Sequence, residues 1–154
     1  IYRPNESKAG TRDADAKEVS GLISSGSMTY AGMKTMIYAK LDKNDVRVKG
    51  AMHYLTSHYT LTENPAMGMQ GYYYYLHAMT KALDIYGLDK LVSSDGVSHD
   101  WRTEVSALTR DLQRDDGSWA NSHSRYFESM PELATSYSMI TLKIANGMND
   151  LKQR

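Results

Sequence analysis

Tyr72, Tyr73, Tyr74 and Tyr75 follow one another in a stretch, 67–87, that excludes polar side chains almost everywhere else. If the stretch is helical, Gln70, His77, Lys81 and Asp84 form a thin polar stripe along it. A histidine on such a stripe is a candidate acid–base group. The alternative is a buried histidine whose hydrogen bonds are met by its neighbours. Aromatic faces stabilise cations and equally stack on sugar rings. At helical spacing the four rings point in four directions, so one or two face any central cavity and the rest are core. Tyr30 and Tyr137 occupy similar places on two other apolar stretches. The cavity candidates are therefore Tyr30, Gln70, Tyr73, Tyr74, His77 and Tyr137. Glu128 and Asp84 are the carboxylates best placed to reach a rim, which makes His77 and Glu128 the candidates for proton transfer.

Other chemistries are excluded or unsupported. The 154 residues contain no cysteine, so a thiolate metal site, a cysteine nucleophile and a disulfide framework are out. His53, His58 and His123 show no metal-ligand spacing, and there is no HExxH, phosphate loop or nucleophile elbow. No metal or cofactor is expected. Lys plus Arg equals Asp plus Glu, 18 each, so net charge gives no reason to expect nucleic acid as a partner. No run reaches the roughly 18 apolar residues of a membrane span. Ten methionines and twelve tyrosines against one phenylalanine imply an adaptable, partly polar interior.

The elements that must position these groups alternate in kind. Residues 1–27 lack any period and read as an extended lead-in. A first helix, 28–41, with Ser27 as its cap, is apolar around most of its circumference. A second, 45–59, carries one stripe of Val48, Met52, Leu55 and Tyr59. The tyrosine helix follows the Asn64-Pro65 breaker, spans 68–86 and stops at Gly87. Residues 88–98, with Asp95-Gly96, suggest a small hairpin. A second amphipathic helix, 99–113, starts at His99-Asp100, polar residues suited to a helix N-terminus. A last apolar helix, 131–146, starts at Ser129-Met130-Pro131-Glu132, which fits a capping box, and 148–154 frays. The fold class is all-α. Apolar helices alternating with amphipathic ones suggest two concentric layers of α/α hairpins, with 28–41, 68–86 and 131–146 inside. Five helices make an arc with unpaired apolar flanks.

Leu108 and Leu112 lead into Gln113-Arg114-Asp115-Asp116-Gly117-Ser118-Trp119, a QxxxGxW pattern. With Gly26-Ser27-Met28-Thr29-Tyr30-Ala31-Gly32 and the stretch from Asn64 to Tyr75, it resembles prenyltransferase/squalene-oxidase repeat proteins, relatives of squalene–hopene cyclases and protein-prenyltransferase β subunits. The likeness covers most of residues 20–145. It implies an α/α toroid of which this chain supplies the C-terminal part, completed by an upstream half or an oligomer partner. It also implies that Gln113, Gly117 and Trp119 are structural, with Gln113 capping a neighbouring helix end and Trp119 packed over it.

Cyclases of this kind protonate their substrate through a DxDD motif. The nearest string, Asp13-Ala14-Asp15-Ala16, lacks the second half, so Asp13 and Asp15 are incomplete candidates. The prenyltransferase zinc site needs a cysteine that is absent. The expected function is a toroid segment whose aromatic-lined cavity takes an apolar or isoprenoid ligand. A non-catalytic scaffold or protein-binding toroid is the first alternative, and a polysaccharide lyase or glycosidase on the same fold the second.

Overall fold

The structure, a computed structural model, describes residues 23–147. It is all-α apart from one two-stranded hairpin: α1 (Gly26–Tyr38), α2 (Val46–Ser57), α3 (Tyr72–Tyr86), β1 (Leu91–Val92), β2 (Ser98–His99), α4 (Trp101–Asp111) and α5 (Pro131–Ala145), with a 3-10 turn at Arg125–Phe127. Asp13 and Asp15 lie outside the described residues. Among those described, no helix is long and apolar enough to cross a membrane.

The tyrosine helix is the centre of the packing. α3 lies between α1 and α5, while α2 backs α1, and α4 backs α5 and touches α3. Tyr75, Leu76, Ala78, Met79, Ala82 and Leu83 of α3 join Tyr30 and Met33 of α1, Leu55 of α2, Leu91 of β1, and Trp101 and Val105 of α4 in the main core. Tyr73 belongs instead to a second cluster with Trp119 and Ala134. Burial of this largely apolar surface is the principal stabilising contribution.

Only α3 is buried on nearly every side. The sequence pattern makes the first and last apolar helices look the same, but α1 leaves Met28 and Tyr38 exposed and α5 leaves Met139 and Ile140 exposed. These are flanks that α3 does not reach.

The helix starts differ from the sequence expectation for identifiable reasons. α1 begins at Gly26 because the Pro65 carbonyl accepts the Gly26 N–H at 3.0 Å and the Asn64 side chain accepts the Ser27 N–H at 3.0 Å. Ser27 thus lies inside the first turn, and Ser25 holds the cap position without a side-chain bond. α3 begins at Tyr72, not 68, because Ala66, Gly68 and Gly71 take left-handed backbone angles (φ 66°, 56° and 66°) that no helix continues. α5 has Met130, not Ser129, at its cap position, with no side-chain cap bond, and Pro131 opens the helix. Asp45 and Asp100 do cap their helices, accepting from the N–H groups of Arg47 and Thr103. Gly87 ends α3 at φ 77°, its N–H reaching the Leu83 and Asp84 carbonyls.

Tyr30 is a core residue whose hydroxyl has no partner among the described residues. Burial pushes that hydroxyl well above the usual phenol range. An unpaired buried hydroxyl costs more than it returns, so Tyr30→Phe should raise stability by up to ~1 kcal/mol in urea denaturation. A clear loss would show that the hydroxyl is bonded in solution.

Candidate functional site

Two helix N-termini meet beside one cavity, and each is capped by a loop arriving from an amphipathic helix. The loop after α2 supplies Asn64, whose side chain accepts from Ser27 N and donates to Ser27 Oγ at 3.1 Å and to the Gln70 carbonyl at 3.0 Å. The loop after α4 supplies Glu128, 0% exposed, whose carboxylate accepts from Tyr73 N at 3.2 Å and Tyr74 N at 2.7 Å at the start of α3. Asn121 braces it, donating its side-chain amide to Glu128 Oε2 at 2.9 Å and to the Met69 carbonyl at 2.6 Å. A carboxylate suits this place because four N–H groups at a helix start lack helical partners and carry partial positive charge.

Between these starts lies a partly enclosed cavity of about 260 Å³. Met28, Met67, Tyr74, Tyr126 and Tyr137 supply its large apolar and aromatic lining, and Ser25, Ser27, Asn64, Gly71 and Glu128 complete it. The Tyr74 and Tyr137 rings stand 5.7 Å apart at 62°, making a corner. Tyr126 reaches the wall from a strained turn, with φ 67° at Tyr126 and 63° at Phe127. Arg125 Nη1 donates to Gln70 Oε1 at 2.5 Å and holds that turn against the start of α3. Gly71 packs beside the ring, and its left-handed φ of 66° is what favours glycine there.

The sequence candidates separate in space. Of the six cavity candidates, Tyr74 and Tyr137 line this cavity. Tyr30 and Tyr73 are core, and Gln70 sits outside, bonded to Arg125. Of the other two tyrosines in the run, Tyr72 and Tyr75 donate to the Leu61 and Thr60 carbonyls at 2.5 and 2.6 Å. Glu128 lines the cavity as a fully engaged cap. Met28, Met67, Asn64 and Tyr126 are cavity residues that sequence reasoning missed. A polar residue beside Pro65 and an aromatic pair next to Glu128 were the only signals, and neither has a helical period.

His77 stacks on Tyr137 at 5.5 Å and 26°, half-buried, with its Nδ1 buried and unpartnered among the described residues. Burial first, then Lys81 and Lys34, hold its pKa down from 6.5 to about 4. The imidazole is neutral at pH 7 and cannot supply a proton there. In the unfolded chain the ring titrates at its ordinary value. Between about pH 6.5 and 4 the unfolded state therefore binds more proton, so stability falls as pH falls through that window and levels off below it. A loss on the order of 1–2 kcal/mol is expected, discounted because the ring is partly wet. Denaturation at pH 7 and pH 4.5 measures it, and His77→Phe should flatten the slope.

The remaining stripe residue near a partner, Asp84, is bonded to Arg102 Nη2 at 2.5 Å, and Arg102 Nη1 reaches the Ile144 carbonyl at 2.9 Å. The QxxxGxW residues are also placed. Trp119 is buried and donates Nε1–H to the Thr109 carbonyl at 2.7 Å, inside α4. Gln113 is exposed and donates to the Gly117 carbonyl of its own turn at 2.8 Å, where Gly117 takes φ 80°. Capping of neighbouring helix starts falls to Asn64 and Glu128.

A second polar chain runs from Ser93 Oγ to His99 Nε2 (3.2 Å) and from His99 Nδ1 to Glu104 (3.1 Å). It has the order of a hydrolase triad, but the Ser93 hydroxyl is 2.5 Å from Asp95 Oδ1, a stronger claim on its proton. Glu104 also accepts from Tyr59 at 3.0 Å. The chain ties the hairpin to α4 and to Tyr59, just after α2. Among the described residues, no three His, Asp or Glu side chains converge as metal ligands.

Compared with protein families, curated proteins and solved structures, the chain finds no match.

Proposed function

We propose that α1–α5 form an arc of an α/α toroid of the prenyltransferase/squalene-oxidase repeat kind, and that its aromatic-lined cavity binds an apolar ligand of isoprenoid character. The cavity walled by Met28, Met67, Tyr74, Tyr126 and Tyr137 carries this reading. The order of packing supports the arc: α3 between α1 and α5, with α2 and α4 behind them. So does the recurrence of one device, a loop from an amphipathic helix capping the start of the preceding apolar helix. Farnesol is a suitable probe. It should bind saturably, and Tyr74→Ala or Tyr137→Ala should weaken it about tenfold, as loss of a central aromatic contact does. Absence of saturable binding to the folded protein would overturn the ligand reading.

A scaffold role is the second reading, favoured by the exposed apolar residues Met28 and Tyr38 on α1 and Met139 and Ile140 on α5. On this reading an upstream half of the toroid or an oligomer partner covers those flanks. Sedimentation showing a monomer, together with no binding of a hydrophobic dye, would count against it. No acid for cyclisation is proposed among the described residues, because Glu128 is fully engaged as a cap and His77 is neutral. A glycosidase would need two facing carboxylates, and one, Glu128, reaches this cavity.

A further inference from the structure

The cavity has an electrostatic character that an apolar wall alone does not explain. Glu128 is the single charged residue lining it. The groups that bond its carboxylate are two backbone N–H groups and the Asn121 amide, all uncharged. They stabilise the charge without neutralising it, and the site keeps a formal charge of −1. Three tyrosine rings share the same space, two of them at 62° so that they form different walls. The rings present negative faces. Tyr126 already attracts a cation: the Arg125 guanidinium lies 5.2 Å from its ring centroid, outside the cavity lining. Ser25, nearly buried, also lines the cavity.

From this geometry we infer that the cavity is a cage for a small quaternary ammonium ion, held by the faces of Tyr74, Tyr126 and Tyr137 above the Glu128 carboxylate. A trimethylammonium group fits such a cage better than a primary amine does. Its methyl groups match the apolar walls of Met28 and Met67, and it needs no hydrogen-bond acceptors, which here are already committed. A hydroxyl attached to it would meet Ser25. An anionic group would not fit, since no Lys or Arg lines the cavity and the N–H groups of Gly26, Ser27, Tyr73 and Tyr74 are taken up by Pro65, Asn64 and Glu128. The inference rests on the cavity proposed above being a ligand site, but not on that ligand being an isoprenoid.

The test compares choline with its carbon isostere, which has tert-butyl in place of trimethylammonium, by calorimetric titration of the whole chain. Choline should bind about tenfold tighter or better. Tyr137→Leu, which keeps apolar volume but removes the ring, should erase that difference, and Tyr137→Phe should keep it. Glu128→Gln should reduce it where the variant folds; the Tyr137 pair decides the matter if it does not. Equal binding, tighter binding of the isostere, or a difference that survives Tyr137→Leu overturns the cage. Binding of farnesol with neither small probe also overturns it and leaves the apolar-ligand reading standing. If none of the three binds, both readings fall.

Discussion

Glu128→Ala should cost about 3–5 kcal/mol, one of the two largest effects expected from a single substitution in this chain. The carboxylate is wholly buried and serves three donors: Tyr73 N, Tyr74 N and the Asn121 amide. Each hydrogen bond to a charged group contributes roughly 1.5–3 kcal/mol, and each buried donor left without an acceptor is penalised in turn. The sum is not additive, but it exceeds what an ordinary surface cap contributes, about 1 kcal/mol. The damage should also spread. Glu128 is joined to Asn121 through both side chain and backbone, and Tyr126 lies two residues before it. Loss of the cap therefore frees the turn that walls the cavity, and ligand binding should fall with stability. Glu128→Gln keeps a carbonyl for one of the two backbone donors and should fall between wild type and alanine. Urea denaturation monitored by tryptophan fluorescence gives the comparison. A loss below about 1 kcal/mol for alanine would mean that water serves these donors well, and the cap would lose its place in the account.

Trp119→Ala should destabilise the fold by a similar amount, about 3–5 kcal/mol, by a different mechanism. The indole fills the space between Tyr73 of α3 and Ala134 of α5, with Leu112, Tyr137 and Leu142 around it. Truncation leaves a cavity that these neighbours close only in part. It also abandons the Thr109 carbonyl. Trp119→Phe separates the two causes: it keeps most of the packing and loses the bond, and should cost about 1–2 kcal/mol. Because the indole braces α3 against α5, it also sets the corner between Tyr74 and Tyr137. An unchanged melting temperature in the alanine variant would remove the bracing role.

Legibility in the sequence followed the range of the interactions. α3 was readable because Ala78, Met79, Ala82 and Leu83 repeat at helical spacing, and its end was readable because Gly87 supplies the left-handed residue a helix terminus needs. Its start was not, because a glycine letter does not say whether its backbone is helical, and Gly68 and Gly71 are not. The amphipathic helices were placed within two residues at each end by their single stripes. The site was harder. Tyr74 and Tyr137 could be named only together with Tyr30 and Tyr73, because helical spacing shows that the rings diverge but not which of them meets a cavity. Glu128 could be named as a carboxylate, yet its partners lie 54 and 55 residues away, and no local pattern encodes them. Asn64 reads as a breaker beside Pro65, and its capping of α1 acts across 37 residues. Met28 and Met67 look like any other core methionine until the loops bring them to one cavity. The expectation that Gln113 caps a neighbouring helix came from resemblance, and the side chain instead closes its own turn at Gly117.

On the proposed function a ligand sits among Met28, Met67, Tyr74, Tyr126 and Tyr137. Labelled methionine methyl groups report on it directly, since among the described residues Met28 and Met67 are the methionines that line the cavity. Titration with farnesol, followed by methyl NMR, should move the Met28 and Met67 resonances in a saturable way and leave Met33 and Met79, buried in the main core, unshifted. Movement of Met139 alone, or uniform movement of all the methyl groups, would place the ligand elsewhere or show only non-specific association.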